Sequence, residues 1–282
     1  MIATDFDYYR PNTIKEALGL FHTLSENKKS PLYFNGGTEF ITFRRIETLY
    51  TEVKAVIDIK NINMCHEIKE ENDTFIIGAS IPLATIETMP HFPLLSKVCN
   101  RIADHTSREK ITLGGNICSN LKYKEAILPL LLTNCDVVIA SPTGLHTVPI
   151  QQIYNIQTGK IMLEHGAFIV QFKIDKVFLN MPFTSKKVTA NGRIGYPLVT
   201  ISAIHMPHIV RFAFSGLCHA PFQLDMIDTT LNERNEPLKN RIQKTLEQLP
   251  SPILDDMNGS SEFRTFIFHG LVKEIISEFG KE

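Results

Sequence analysis

Two short segments pair glycines beside a hydroxyl and a carboxamide: Asn35-Gly36-Gly37-Thr38-Glu39 and Thr112-Leu113-Gly114-Gly115-Asn116. A glycine pair between a strand and a helix has a chemical use. Without Cβ the backbone can take positive φ, successive N–H groups can point into one concavity, and the helix that follows adds its positive end. Phosphate oxygens bind in such a concavity. One pair alone is more often a tight connection than a binding site. Two pairs, one from each of two α/β units, match the two phosphates of a dinucleotide. Neither segment reads G-x-G-x-x-G, and that spacing occurs nowhere else in the chain, which disfavours the Rossmann mode of binding.

Other reactive residues offer less. His205 and His208 are three apart, but Pro207 breaks a helix between them and no third ligand is close in sequence. Cys118 follows the second glycine pair without an adjacent histidine, so it is expected to be a buried thiol beside the ligand rather than a nucleophile. Cys65-His66 and Cys218-His219 are sequence neighbours, which on a strand face opposite ways.

The elements that must position the glycines can be read from periodicity. Thr13-Ile14-Lys15-Glu16 is a capping box, and Ile14, Ala17, Leu18, Phe21 and Leu24 recur at helical spacing. Leu32-Tyr33-Phe34 runs into the first glycine pair and Val56-Ile57-Asp58-Ile59 follows, giving strand, turn, short helix, strand. Phe75–Ala79 reads as a strand. Leu94, Leu95, Val98, Cys99 and Ile102 share a helix face leading to the second pair. Val137–Ala140 and Phe168–Phe172 read as strands, the latter alternating on Phe168, Val170 and Phe172. Beyond a boundary near 176–182, strands at 196–201 and 209–214 precede a helix marked by Leu238, Ile242, Thr245, Leu246 and Leu249. Asn258-Gly259-Ser260-Ser261-Glu262 starts a last helix, its stripe Phe263, Phe266, Ile267, Leu271, Ile275 and Phe279.

Composition narrows the partners. The 282 residues hold 43% hydrophobic residues, enough for one large core or two smaller ones. Lys and Arg number 29 against 30 Asp and Glu, so no charge excess draws the chain to nucleic acid or an anionic membrane. The run Ile127–Leu132 falls far short of the roughly 20 apolar residues that cross a bilayer. Residues 1–7 carry acids where a secretory signal carries a basic region, so a cytoplasmic protein is expected. Five scattered cysteines, none spaced C-x-x-C, argue against a disulfide framework and a cluster-ligating set.

Taken together, the leading helix, N-G-G-T-E-F at 35–40, V-I-D-I at 56–59, S-R-E-K-I-T-L-G-G-N-I-C at 107–118 and V-P-I at 148–150 resemble the FAD-binding subunits of the molybdenum hydroxylases. That family includes the flavin subunits of xanthine dehydrogenase and carbon monoxide dehydrogenase. G-S-S-E-F-R at 259–264 and the closing helix extend the resemblance to nearly the whole chain. The implied fold is α+β: a PCMH-type FAD-binding domain of two subdomains, about 1–59 and 60–176, followed by a C-terminal domain, 177–282, of antiparallel sheet with covering helices.

The resemblance implies that Asn35, Gly36, Gly37, Thr38, Glu39 and Phe40 wrap the FAD pyrophosphate, with Tyr33 and Phe34 leading in. It gives the second segment, Arg108, Thr112, Leu113, Gly114, Gly115 and Asn116, the same role. Thr38 stands where a related flavin fold attaches FAD through a histidine, which implies non-covalent binding. Asn35, Glu109 and Ala167 depart from the family's more usual Ala, Asn and Glu. Glu125 would contact the ribityl or adenosine portion, or be a solvated helix charge. Phe168 and Ile169 would be flavin-ring contacts or core residues. Lys187, preferred over Lys186, would place a cation near flavin N1 and O2, where it stabilises the reduced anion. The implied partners are a molybdopterin subunit and a 2Fe–2S subunit, with NAD⁺ as the expected electron acceptor and oxygen as the other. A stand-alone flavin oxidoreductase of the same fold and a non-catalytic scaffold are the competing readings.

Overall fold

Thr13 caps the helix Ile14–Glu26, its hydroxyl accepting from Glu16 N at 3.1 Å, while the Glu16 carboxylate accepts from Asn12 N at 2.8 Å. The capping-box residues thus tie down both sides of the helix start, one residue earlier than the reciprocal pattern. The helix buries Ala17 and Leu24 on a three-stranded parallel sheet in which Ala55–Asp58 lies between Asp7–Tyr9 and Pro31–Phe34. The computed structural model describes residues 5–46, 48–190, 192 and 195–280. Residues 1–4, which contribute to the N-terminal reading above, lie outside that set.

A second, antiparallel sheet has five strands in the order Ile68–Glu71, Thr74–Gly78, Phe168–Asp175, Asp136–Ser141, Gly144–Pro149. One of its faces meets the first helix: Val138, Ala140, Phe168 and Val170 pack with Ala17, Leu24, Ala55 and Ile57. The other carries the short helices Leu83–Glu87, Pro93–Cys99 and Ile127–Leu132 over Ile77, Ile139, Ile169 and Phe172. A β-bulge between Ile169 and Gln171 shifts the phase of the central strand. Phe168 and Val170 therefore face one cluster and Phe172 and Ile174 the other, which replaces the single alternation read from sequence.

The third sheet is antiparallel, in the order Phe183–Thr189, Pro197–His205, Val210–Ser215, Phe222–Gln223. The helices Asp225–Asn232, Leu238–Glu247 and Ser261–Phe279 cover it. Of the apolar stripe expected on the last helix, Ile267, Leu271 and Ile275 are buried, but Phe263 and Phe266 are 48% and 74% exposed. Arg264 explains the rotation. Fully buried, it donates to the carbonyls of Leu198 and Gly216 at 2.7 Å each and to Asp256 at 2.7 Å, drawing Phe268 and Val272 inward at i+4 and i+8.

Asp228, 1% exposed, accepts from Phe212 N and Gln223 Nε2, both at 2.8 Å. Burial outweighs those bonds and raises its carboxyl to about 6. A raised acid stabilises the fold while protonated, and that contribution is lost as pH rises through the folded value. Urea unfolding at about pH 4.5 and about pH 6.5 should show Asp228 withdrawing about 2 kcal/mol over that interval. Asp228→Asn should lack this component, and equal pH slopes for the two proteins would contradict it.

Candidate flavin-binding cleft

The strand Pro31–Phe34 delivers the first glycine pair to the edge of the parallel sheet, and the helix Thr38–Arg45 starts directly after it. Gly37 is the N-cap, at φ 70°, where a Cβ would fall 2.1 Å from the Phe34 ring. No side chain caps this helix, and the amides of Gly36, Gly37, Thr38 and Glu39 have no acceptor among the described residues. Four N–H groups at the positive end of a helix are therefore free to donate. Lys60 fixes the turn from behind: its ammonium donates to Asn35 O at 2.9 Å and to Asp58 at 2.7 Å. Burial opposes ionisation of Asp58, but hydrogen bonds from Lys60 and Tyr8 prevail and hold its carboxyl below the ordinary range.

The second pair has a different local form from the one the sequence suggested. It is the first turn of a helix, Leu113–Cys118, capped by Thr112, and no strand leads into it beyond a single bridge between Pro82 and Thr112. Its amides are partly committed. Leu113 N donates to Ile81 O at 3.0 Å and Gly114 N to Ala79 O at 2.8 Å, whereas Gly115 N rests on Thr112 Oγ1 at 3.2 Å. Gly114 is glycine because a Cβ would lie 2.8 Å from that of Ala79.

Backbone contact joins the two segments. A Cβ on Gly36 would stand 1.9 Å from Lys110 O and 3.3 Å from Ile111 Cα, so only glycine lets the first turn lie against the approach to the second. Glu39 adds a tie, accepting from Asn120 N at 2.8 Å and from the hydroxyl of Tyr50. Between the segments opens a cleft of about 450 Å³, within the usual range for a small-molecule site. Tyr33, Phe34, Asn35, Gly36, Gly37, Thr38, Glu39 and Phe40 line one side, and Thr112, Gly115 and Asn116 the other.

Two buried polar atoms lack partners there, Asn35 Oδ1 and Asn116 Oδ1. Orphaned acceptors in a cleft call for donors from a ligand. A dinucleotide supplies both complements: phosphate oxygens for the free amides of the first turn, and sugar or ribityl hydroxyls for the carboxamide oxygens. The residues present thus fit FAD.

The other residues singled out from the sequence lie outside the lining. Arg108 pairs with Glu87 at 2.7 Å and donates to Ala103 O at 2.7 Å; Leu113 and Gly114 are buried behind the cleft wall. Phe168 packs on the inner face of Tyr33, ring centroids 4.6 Å apart, and Ile169 is in the core. Glu125 is neither solvated nor in the cleft: it pairs with Lys187 at 2.6 Å and accepts from Thr200 at 2.7 Å. Cys118 differs from expectation too, being exposed on the cleft wall while the other four cysteines are buried.

Sequence reasoning missed several lining residues, among them Thr42, Tyr50, Ser119 and Tyr196. Tyr196 comes from the third sheet's side, its ring tilted against that of Tyr123 with centroids 4.9 Å apart. An isolated exposed tyrosine before Pro197 carries no pattern that could have flagged it.

A parallel sheet and an antiparallel sheet, with a glycine-lined cleft between the edge of the first and the helix Leu113–Cys118, followed by a sheet-and-helix domain, define an FAD-domain architecture. Residues 4–175 match the model of the FAD binding domain in molybdopterin dehydrogenase. The chain belongs to that family, that of the FAD-binding subunits of molybdenum hydroxylases. It is 25% identical to the xanthine dehydrogenase FAD-binding subunit of Escherichia coli O157:H7 over 96% of this chain and 94% of the relative. A nicotinate dehydrogenase FAD-subunit from Eubacterium barkeri is 26% identical over 54% of this chain and 51% of its own. The fold matches carbon monoxide dehydrogenase from Hydrogenophaga pseudoflava with a TM-score of 0.84 at 19% identity, covering 97% of this chain and 96% of that one. Quinoline 2-oxidoreductase from Pseudomonas putida 86 matches with the same score at 18% identity, covering 99% and 98%. Among the described residues no helix is long and apolar enough to cross a membrane.

Proposed function

We propose that the cleft holds FAD non-covalently and that the chain is the electron-transfer subunit of a three-part molybdenum hydroxylase. The observation that carries this reading is the contact of Gly36 with Lys110, which sets free amides and orphaned carboxamide oxygens around one cavity. The amides of Gly36–Glu39 take most of the diphosphate charge. Gly115 keeps the opposite wall low enough for the backbone to approach, and Asn35 and Asn116 accept from sugar hydroxyls. Glu39, held by Asn120 and Tyr50, ties the two walls together.

Bound flavin accepts electrons singly or as a pair, which suits a bridge between one-electron iron–sulfur centres and a two-electron acceptor. The partners in this reading are a molybdopterin subunit that oxidises a purine or related heterocycle and a 2Fe–2S subunit that relays the electrons, with NAD⁺ or oxygen as acceptor. One relative that pairs along nearly its whole length is named for xanthine dehydrogenase and another for nicotine 6-hydroxylase, which favours a nitrogen heterocycle such as a purine.

Purification of the tagged chain from its own cells tests this. The expected product is a yellow complex containing molybdenum and 2Fe–2S subunits, reduced by a purine and reoxidised anaerobically by NAD⁺. A chain that purifies alone and takes up no added FAD would overturn it.

A further inference from the structure

A second, smaller cavity of about 100 Å³ lies beside the flavin cleft, sharing Leu121 with it. Its lining is almost wholly polar and includes Lys122, Lys124, Lys160, His219, Thr158 and Asn120, with no carboxylate. Lys124 is the unusual member. It is 3% exposed, and its ammonium makes a single hydrogen bond, to the carbonyl of Gly159.

No carboxylate pairs with Lys124 among the described residues. Burial, with Lys160 adding repulsion, lowers its pKa, while Glu39 opposes that fall from a distance, its own carboxylate engaged by Asn120 and Tyr50. Lys122 and Lys160, exposed at the mouth, make no ion pair among the described residues either. A buried ammonium with two unused N–H donors is costly unless an anion meets it. The cavity holds one small group, and the charged side chains that line it are positive or can become so.

We infer that this cavity is an anion site that takes a single phosphate group, held by Lys124 from within and by Lys122 and Lys160 at the mouth, next to but separate from the flavin cleft. Its floor is built: Gly159, at φ 68° in the turn between Tyr154–Asn155 and Lys160–Ile161, aims its carbonyl at Lys124 and fixes the ammonium in place. The phosphate comes either from free inorganic phosphate or from a nucleotide reaching in from the neighbouring cleft.

The test is calorimetric titration of the full, FAD-loaded chain with inorganic phosphate. The expected result is saturable one-site binding, weakened roughly tenfold or more in Lys160→Ala and lost in Lys124→Met, with flavin absorbance unchanged in both. Lys124→Met removes an unpaired buried cation and should stay folded; Lys160→Ala alters an exposed side chain and reports even if the first does not. No saturable phosphate binding by the wild type, or unaltered affinity in both variants, would overturn the inference. ADP-ribose then separates the sources: displacement of phosphate assigns the pocket to a nucleotide and non-displacement to the free ion, and both uphold the anion site. Loss of flavin colour would bear on the cleft, whereas the phosphate heat bears on this pocket.

Discussion

Gly115→Val should purify folded and nearly free of FAD. A Cβ at this position meets only Thr112 Oγ1, at 2.8 Å, and the remaining bulk of valine projects into the cleft that Gly115 lines. The residue sits in a helix without positive φ, where valine is a slightly better helix former than glycine, so the fold loses only the cap contact, about 1 kcal/mol. Binding loses much more, because the wall can no longer approach the diphosphate. An increase in Kd of roughly a hundredfold or more, about 3 kcal/mol, is expected from flavin fluorescence titration. Gly36→Ala would be a poorer probe: its collision with Lys110 O is backbone against backbone and would part the two segments themselves. Full FAD content in Gly115→Val would remove that turn from the site.

The second large effect concerns stability. Lys187 and Glu125 form a buried pair, side chains 2% and 6% exposed, and Lys187 also donates to Arg101 O at 2.8 Å while Arg101 donates back to Lys187 O at 3.0 Å. This exchange fastens the third sheet to the segments on either side of the second glycine pair. Burial raises the Glu125 carboxyl, and the Lys187 charge and hydrogen bond oppose that rise. Lys187→Ala strands a carboxylate that keeps only Thr200, which should cost about 3–5 kcal/mol in urea unfolding. The loss should shrink at acid pH, where Glu125 protonates. Lys187→Met with Glu125→Gln, lacking both charges, should recover much of it. A loss below about 1 kcal/mol would show that the pair is not a structural fastening.

These two sites differ in how far sequence could reach them. The first glycine turn was legible because all its signals are local: an apolar strand, two glycines and a helix start within eleven residues, 31–41. The second was legible as a glycine pair but not as a helix start whose Gly114 amide is already spent on Ala79, since that partner lies 35 residues upstream. Lys187 and Glu125 are 62 residues apart, and no local pattern couples them. Their strand, Phe183–Thr189 for Lys187, escaped notice because its buried positions are Thr184, Ser185 and Lys187, which defeats a reading based on apolar periodicity. Resemblance placed Lys187 at the flavin; the structure gives its ammonium a carboxylate and a carbonyl instead. The exposed Phe263 and Phe266 teach the same lesson in reverse, because a buried arginine, not the phenylalanines, chose the face of the last helix.

The account rests on the diphosphate lying between two glycine walls, held by the amides of the first and closely approached by the second, and flavins of different length test that placement. Titration of the flavin-free chain with FAD and with riboflavin, which has the ring and ribityl chain but neither the diphosphate nor the adenosine, measures what the ADP half contributes, and the same pair of titrations on Gly115→Val isolates the share that depends on the glycine wall. FAD should bind tighter by roughly a hundredfold or more, and Gly115→Val should erase most of that difference. Equal affinity for the two flavins would contradict the two-walled diphosphate site.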